Sequence, residues 1–238
     1  MPSYKLLSQS SYKIDKGNKI QDKYFSRVLY LAPDDLADGK RTLCPYAKIA
    51  KCSEACLNTA GMGKFSNVQQ ARIRKSLLFL NDQKEFLKLL VADVHKFLKE
   101  CEKLGKLPAL RLNGTSDIQW ETIEIEDGKN IFEMFPQIQW YDYTKIPTRK
   151  VDHIPNYHLT WSYSEANDKY AKLFDKVPNN KAVVFNNFLP KVFKGLKVID
   201  GDTHDMRFLD KSNVVVGLLA KADAKKDTTG FVINTIKT

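Results

Sequence analysis

The chain contains no run of about 18 apolar residues, so hydropathy gives no membrane-spanning helix. Its first residues, MPSYKLLSQSSYK, also lack the apolar stretch of a secretory signal. These two absences lead us to expect a cytoplasmic protein in a reducing compartment, where thiols stay reduced. Like charges never accumulate into a block of five, so there is no polyionic tail, and the net charge of +10 is spread along the chain. Cysteine is scarce, with four in 238 residues. What is present suits one large α/β domain, because a hydrophobic fraction of 43% is enough to build a core.

Three of the four cysteines, Cys44, Cys52 and Cys56, lie within Arg41–Phe65 (RTLCPYAKIAKCSEACLNTAGMGKF) in the spacing C-x7-C-x3-C. In a chain without a secretion signal, such a group points to metal ligation before disulfide pairing. A structural zinc site normally takes four protein ligands, whereas three leave a position open for water, substrate or cofactor. An iron–sulfur cluster on three cysteines likewise leaves one iron free. The alternative is a set of unconnected buried or solvent-facing thiols. Cys101 falls on a helical stripe with Phe86, Leu90, Val94, Phe97 and Leu104, which predicts a core position for it. His95 neighbours the stripe and reads as structural.

Residues 1–24 are polar and rich in Lys and Ser, and read as an arm or edge segment ahead of a single domain over 25–238. Arg27–Ala32 reads as the first strand, which places the cysteine loop just past a strand's C-terminal end. Open α/β sheets and barrels bind their ligands there. Ser66-Asn67-Val68-Gln69 predicts a capping box opening a helix over about 67–80. Asp82 and Glu85 open a second helix to about Leu104, stopped by Gly105. Short helices are expected near 130–135 and over about 165–175.

Further strand candidates are Ala109–Asn113, Ile138–Tyr143, Tyr157–Ser162, Ala182–Phe185, Lys197–Ile199 and Val214–Leu219. Each has an apolar body and a polar exit. The pattern predicts an α/β fold, a partial or open (β/α) barrel with mostly parallel strands. Parallel βα units put all strand C-termini at one end, so Arg111, Asn113, Asp117, Asp142, Ser162 and Glu165 are expected around one cavity. The alternative at Gly114-Thr115-Ser116-Asp117 is an internally satisfied turn with Asp117 as a cap.

Taken together, LYLAP, CPYAKIAKC, CLNTAGMGKF, VQQARIRK, RLNGTSDIQWE, YDYTK, NYHLTWSYSE, VIDGD and VVGLLAKADAKKDTTGFV resemble the bacteriophage gene product 88 family. The resemblance covers nearly the whole chain. Its order of a strand, three cysteines and then βα units is similar to radical S-adenosylmethionine (SAM) enzymes. That likeness implies a radical-SAM-like fold with a 4Fe–4S cluster on Cys44, Cys52 and Cys56, and SAM on the fourth iron. The chain departs from that pattern in two ways: C-x7-C-x3-C replaces C-x3-C-x2-C, and no Gly-Gly-Glu follows the second strand. Asn113, Gly114, Ser116 and Asp117 occupy that place and, with Asp142, Ser162 and Glu165, are the cofactor-binding residues the likeness implies.

Arg72, Arg74 and Lys75 on the first helix are expected to supply positive charge for DNA, RNA, a nucleotide or another anionic substrate. The net charge fits phosphate neutralisation, and a generally basic surface is the bland alternative. Trp120, Trp140, Tyr141 and Trp161 offer either stacking surfaces for bases or core packing. The leading expectation is an iron–sulfur, radical-SAM-like enzyme acting on nucleic acid or a nucleotide. A non-catalytic nucleic-acid-binding protein with zinc or a structural cluster is the second. A hydrolase built on Asp200, Asp202 and Asp205 is the third.

Overall fold

The computed structural model describes residues 5–8, 16–19, 22–53, 55, 56, 58 and 60–235. The described residues form one nine-stranded sheet. Its strands are β1 (Tyr24–Val28), β2 (Leu107–Arg111), β3 (Gln139–Thr144), β4 (Tyr157–Ser162), β5 (Lys181–Phe185), β6 (Val192–Phe193), β7 (Leu196–Asp200), β8 (Val214–Leu219) and β9 (Val232–Ile233). The spatial order is β1-β2-β3-β4-β5-β8-β7-β6, with β9 added against the end of β5. Every pairing is parallel except the β6–β7 hairpin. β1 and β6 stand at opposite edges, so the sheet is open and not closed into a barrel.

Parallel neighbours need crossovers. Between β1 and β2 the chain supplies α1 (Ala47–Ala50), α2 (Ser66–Asn81) and α3 (Gln83–Leu104). Next come α4 (Ile131–Met134) before β3 and α5 (Asp168–Ala171) before β5. α3 forms where its local signals put it: Asp82 accepts from the Glu85 N–H, and Gly105 takes the left-handed conformation at φ 64°. Phe86, Leu90, Val94, Phe97 and Cys101 are buried along its stripe, while Leu104 turns to solvent at 50% exposure. α2 begins without the expected capping box. A 3₁₀ turn, Gly61–Lys64, runs straight into it, so Phe65 is the cap residue and makes no side-chain cap bond.

One face of β2–β4 carries Leu110, Leu112, Trp140, Tyr157 and Leu159 into the main core, against Phe79, Phe86, Leu90, Val94, Phe97 and Cys101 of α2 and α3. Trp120, Trp140, Trp161 and Tyr141 are all buried, so these rings pack inside and are not stacking surfaces. The first strand lies earlier than the apolar run suggested, because residues from Leu29 onward leave the ladder to meet the turn after β2. In the described part of the N-terminal arm, residues 16–19 are helical and an earlier stretch runs along the residue after β1. Leu7 bridges Leu29 antiparallel, and fully buried Leu6 donates its N–H to Asp93 Oδ2 at 2.6 Å. Residues 1–4, 9–15, 20 and 21 of that arm lie outside the described residues.

Gly114 is where the turn after β2 passes closest to β1. A Cβ there would meet the Tyr30 ring at 2.5 Å and the Leu29 carbonyl oxygen at 2.7 Å, and that backbone cannot yield cheaply. Gly114→Ala is expected to lower stability by about 1–3 kcal/mol in urea denaturation.

Candidate functional site

The cysteine loop lies over the C-terminal ends of the central strands. The Asp117 N–H donates to Leu43 O at 2.8 Å, tying the loop to the turn after β2. Ser164 Oγ donates to Ala50 O at 2.8 Å, tying α1 to the exit of β4. Cys44 Sγ accepts from the Asp34 N–H at 3.3 Å and faces the Thr115 carbonyl at 3.7 Å. Cys52 packs beside Ala55, Val184 and Phe231, where β9 joins β5.

Burial pushes the Cys44 thiol up to about 12, and Asp117, Cys56 and Cys52 push the same way. Burial also raises Cys56; Cys52 adds to the rise, while the Asn58 N–H, Lys145 and Arg72 oppose it. The three thiols therefore share one electrostatic neighbourhood, with two cations beside Cys56. Among the described residues, no three His, Cys, Asp or Glu side chains are drawn into the geometry of a metal-ligand set. Cys101 belongs to the helix core, away from this loop.

The polar strand ends form a single hydrogen-bonded network. Asn113 Oδ1 accepts from Ser116 Oγ at 3.0 Å, Ile118 N at 2.9 Å and Trp120 Nε1 at 3.3 Å. Asp142 accepts from Asn113 N at 2.7 Å and from the Tyr157 hydroxyl at 3.0 Å. Arg149 forks onto Glu121 at 2.8 and 2.6 Å, donates to the Tyr157 oxygen at 2.7 Å and reaches Asp117 at 3.5 Å. Asp117 Oδ2 accepts from Lys145 N at 2.7 Å, and Lys145 Nζ donates to Ser162 Oγ at 2.9 Å. Burial lifts Asp142 to about 7 against the pull of Arg111 and Arg149, and raises Asp117 against Arg149.

Asn113, Ser116, Asp117, Asp142 and Ser162 thus belong to one network in which they pair with one another, with neighbouring side chains and with the backbone, while Arg111 turns to Asp205. Buried polar groups require such partners. Gly114 is closed in by Tyr30. Glu165 stands apart, accepting from the Tyr163 hydroxyl at 3.1 Å and facing Lys194 at 3.2 Å.

The basic turn of α2 does not make one patch. Arg72 is buried, donates to Asn58 Oδ1 at 2.5 Å and lies 4.9 Å over the Tyr30 ring. Lys75 Nζ donates to Leu6 O at 2.7 Å, whereas Arg74 faces solvent. The reason is angular: residues two apart on a helix point in different directions. The Asp200, Asp202 and Asp205 cluster also disperses. Asp202 meets Lys221 at 2.6 Å, Asp200 accepts from the Asp202 N–H at 2.8 Å, and Asp205 meets Arg111 at 2.8 Å. Lys145 is legible in the sequence only as part of a polar strand exit, and Arg149 is not singled out by it at all. Lys145 follows directly on a strand and had that signal, while Arg149 sits in a loop with none.

Arg149 neutralises two carboxylates with a fully buried side chain. Arg149→Met is expected to cost about 3–5 kcal/mol in urea denaturation, and Arg149→Lys to recover only part, because an ammonium cannot fork. Burial also pulls Lys75 from 10.5 down to about 8, so the folded protein holds this proton less tightly than the unfolded chain. That penalty is fully present below pH about 8 and fades as pH rises toward 10.5. Stability is therefore expected to climb across this window in the wild type, with the climb missing in Lys75→Met when both are followed by thermal melts.

No curated protein and no solved structure matches this chain. A family model described as Gene product 88 matches residues 5–235, nearly its full length. The sequence blocks and the family model agree, and this protein belongs to the Gene product 88 family.

Proposed function

We propose that Cys44, Cys52 and Cys56 hold an iron–sulfur cluster at the C-terminal mouth of the open sheet, in an enzyme acting on a nucleotide or nucleic acid. The observation that carries this reading is that the Cys44 and Cys56 thiols are raised by burial and by Cys52, while Arg72 and Lys145 oppose the rise at Cys56. Uncharged thiols suit burial while the site is metal-free. A bound metal ion displaces their protons, and the two cations then offset the thiolate charge. Arg72 Nε is a buried donor with no hydrogen-bond partner among the described residues, so it is available to a sulfide or thiolate. Ligation requires the loop to draw the three sulfurs together, and three protein ligands leave one position open.

A 4Fe–4S cluster bound there supplies one-electron transfer and an open iron position. The chain's own residues supply the rest. Lys145 holds positive charge at the mouth, the β9 segment with Phe231 shields Cys52 from water, and the Asn113–Arg149 network holds the strand ends rigid. SAM as the ligand of the open position rests on the likeness to radical-SAM enzymes. Asn113, Ser116 and Asp142 are engaged inside the protein, which leaves Lys145 and Ser162 as the nearest groups to meet it.

The net charge of +10 favours a second reading, a non-catalytic nucleic-acid-binding protein with zinc on the same thiolates. Anaerobic reconstitution with iron and sulfide separates the two. A brown protein absorbing near about 400 nm is expected, with Cys52→Ala colourless. Cys101→Ala should retain the colour and lose only about 1–2 kcal/mol of stability. A colourless protein that takes up zinc alone would sink the cluster reading. Gel shifts with single- and double-stranded DNA at two salt concentrations test the partner, and no shift at low salt removes nucleic acid from it.

A further inference from the structure

The sheet face opposite the long helices is polar where strands usually bury apolar side chains. Tyr141 pairs with His158, and Tyr143 with Thr160, across β3 and β4. The Arg111 guanidinium lies 4.7 Å over the Tyr143 ring. It is held in one orientation by the carbonyl oxygens of Asn113 at 3.1 Å and Gly114 at 3.4 Å. A strap of residues 204–210 crosses this face. Asp205 Oδ2 accepts from Arg111 Nη1 at 2.8 Å, and Phe208 packs its ring against Tyr24 and Tyr141.

The strap covers the face without satisfying it. The Tyr143 hydroxyl, Thr160 Oγ1, His158 Nε2 and Arg207 Nε are buried and have no hydrogen-bond partner among the described residues. Thr160 is 0% and Arg207 1% exposed, so bulk water does not reach their side chains. Native structures leave few buried polar atoms unpaired, and several in one layer mark a place built for something else. Here the strap supplies a single carboxylate to the sheet's cation, while three sheet groups able to donate stay idle beside it.

We propose that Arg111, Tyr143, His158 and Thr160 form a binding face for a phosphate monoester, which Asp205 occupies as an internal stand-in until the strap lifts. The donor count selects the ligand class. A carboxylate offers two oxygens, which Arg111 alone can fork, whereas a phosphoryl group offers three and uses the hydroxyl and imidazole donors as well. Burial and the nearby Arg207 favour neutral His158, whose Nε2 donates in one tautomer. Ser162 continues the same row of side chains toward Lys145 and the cysteine loop, so a bound phosphate sits just below the mouth. The site stands on the Arg111–Asp205 pair and the idle donors, and does not depend on a metal at the cysteines.

Calorimetric titration of the full-length, metal-free protein with inorganic phosphate at constant ionic strength tests this, with acetate as the carboxylate control. Asp205→Asn is expected to bind phosphate at least about tenfold tighter than wild type, since the competing carboxylate is gone. Phe208→Ala, which removes only the strap's anchoring ring, should tighten binding in the same direction and carries the test if Asp205→Asn fails to fold. Arg111→Gln in the Phe208→Ala background should abolish binding. Amide exchange in 204–210 should speed up on saturation with phosphate. Equal phosphate affinity in wild type and Phe208→Ala, or unchanged exchange in the strap, overturns the strap. Acetate binding as tight as phosphate overturns the ligand class.

Discussion

The structure depends on the pairing of Asn113 with Asp142. These two buried side chains join the ends of β2 and β3 and extend through Tyr157 and Arg149 to Glu121 and Asp117. Buried polar groups of this kind are costly unless every member is satisfied. Once they are, they specify register as firmly as a hydrophobic contact does. A slip of one residue in β3 would turn Asp142 to the wrong face and leave Asn113, Tyr157 and Arg149 without it. The network thereby fixes the platform against which the cysteine loop is laid.

On that platform the loop meets an electrostatic situation different from a solvent-exposed turn. Cys44 and Cys56 are pushed toward the neutral thiol mainly by burial, and the neighbouring Cys52 adds to the rise at both. Lys145 and Arg72 pull the other way at Cys56. These interactions link the cysteine loop electrostatically with α2 and the end of β3.

The two faces of the sheet follow different rules. Toward α2 and α3, Leu110, Trp140 and Leu159 build an aliphatic and aromatic core. Toward the 204–210 strap, Arg111, Tyr143, His158 and Thr160 are polar, and several of their atoms lack partners among the described residues. A sheet that needed only stability would be better served by apolar side chains on both faces, as buried parallel strands usually are. The helix side of the sheet therefore carries the apolar packing, and the strap side carries the buried polar groups.

Local signals in the sequence by themselves determined α3, β4 and β8, because caps, the 3.6-residue stripe and short β-branched or aromatic runs act over a few residues. They also pointed to an α/β fold with mostly parallel strands, but to a partial barrel where the tertiary structure forms an open sheet. The family was legible in the same way, from sequence blocks along the whole chain. Only the tertiary structure decided which polar groups meet. Arg111 and Asp205 are separated by 94 positions, and Arg149 reaches Glu121 across 28, so no local pattern announces either pair. β9 is two residues long and exists only because the end of β5 offers it an edge. Arg72 and Arg74 looked like one basic turn in the sequence. The angular rise of the helix and the position of Tyr30 and Asn58 sent the first inward and the second to solvent. Charge and hydrogen-bond partners act through space, and the sequence orders residues only along the chain.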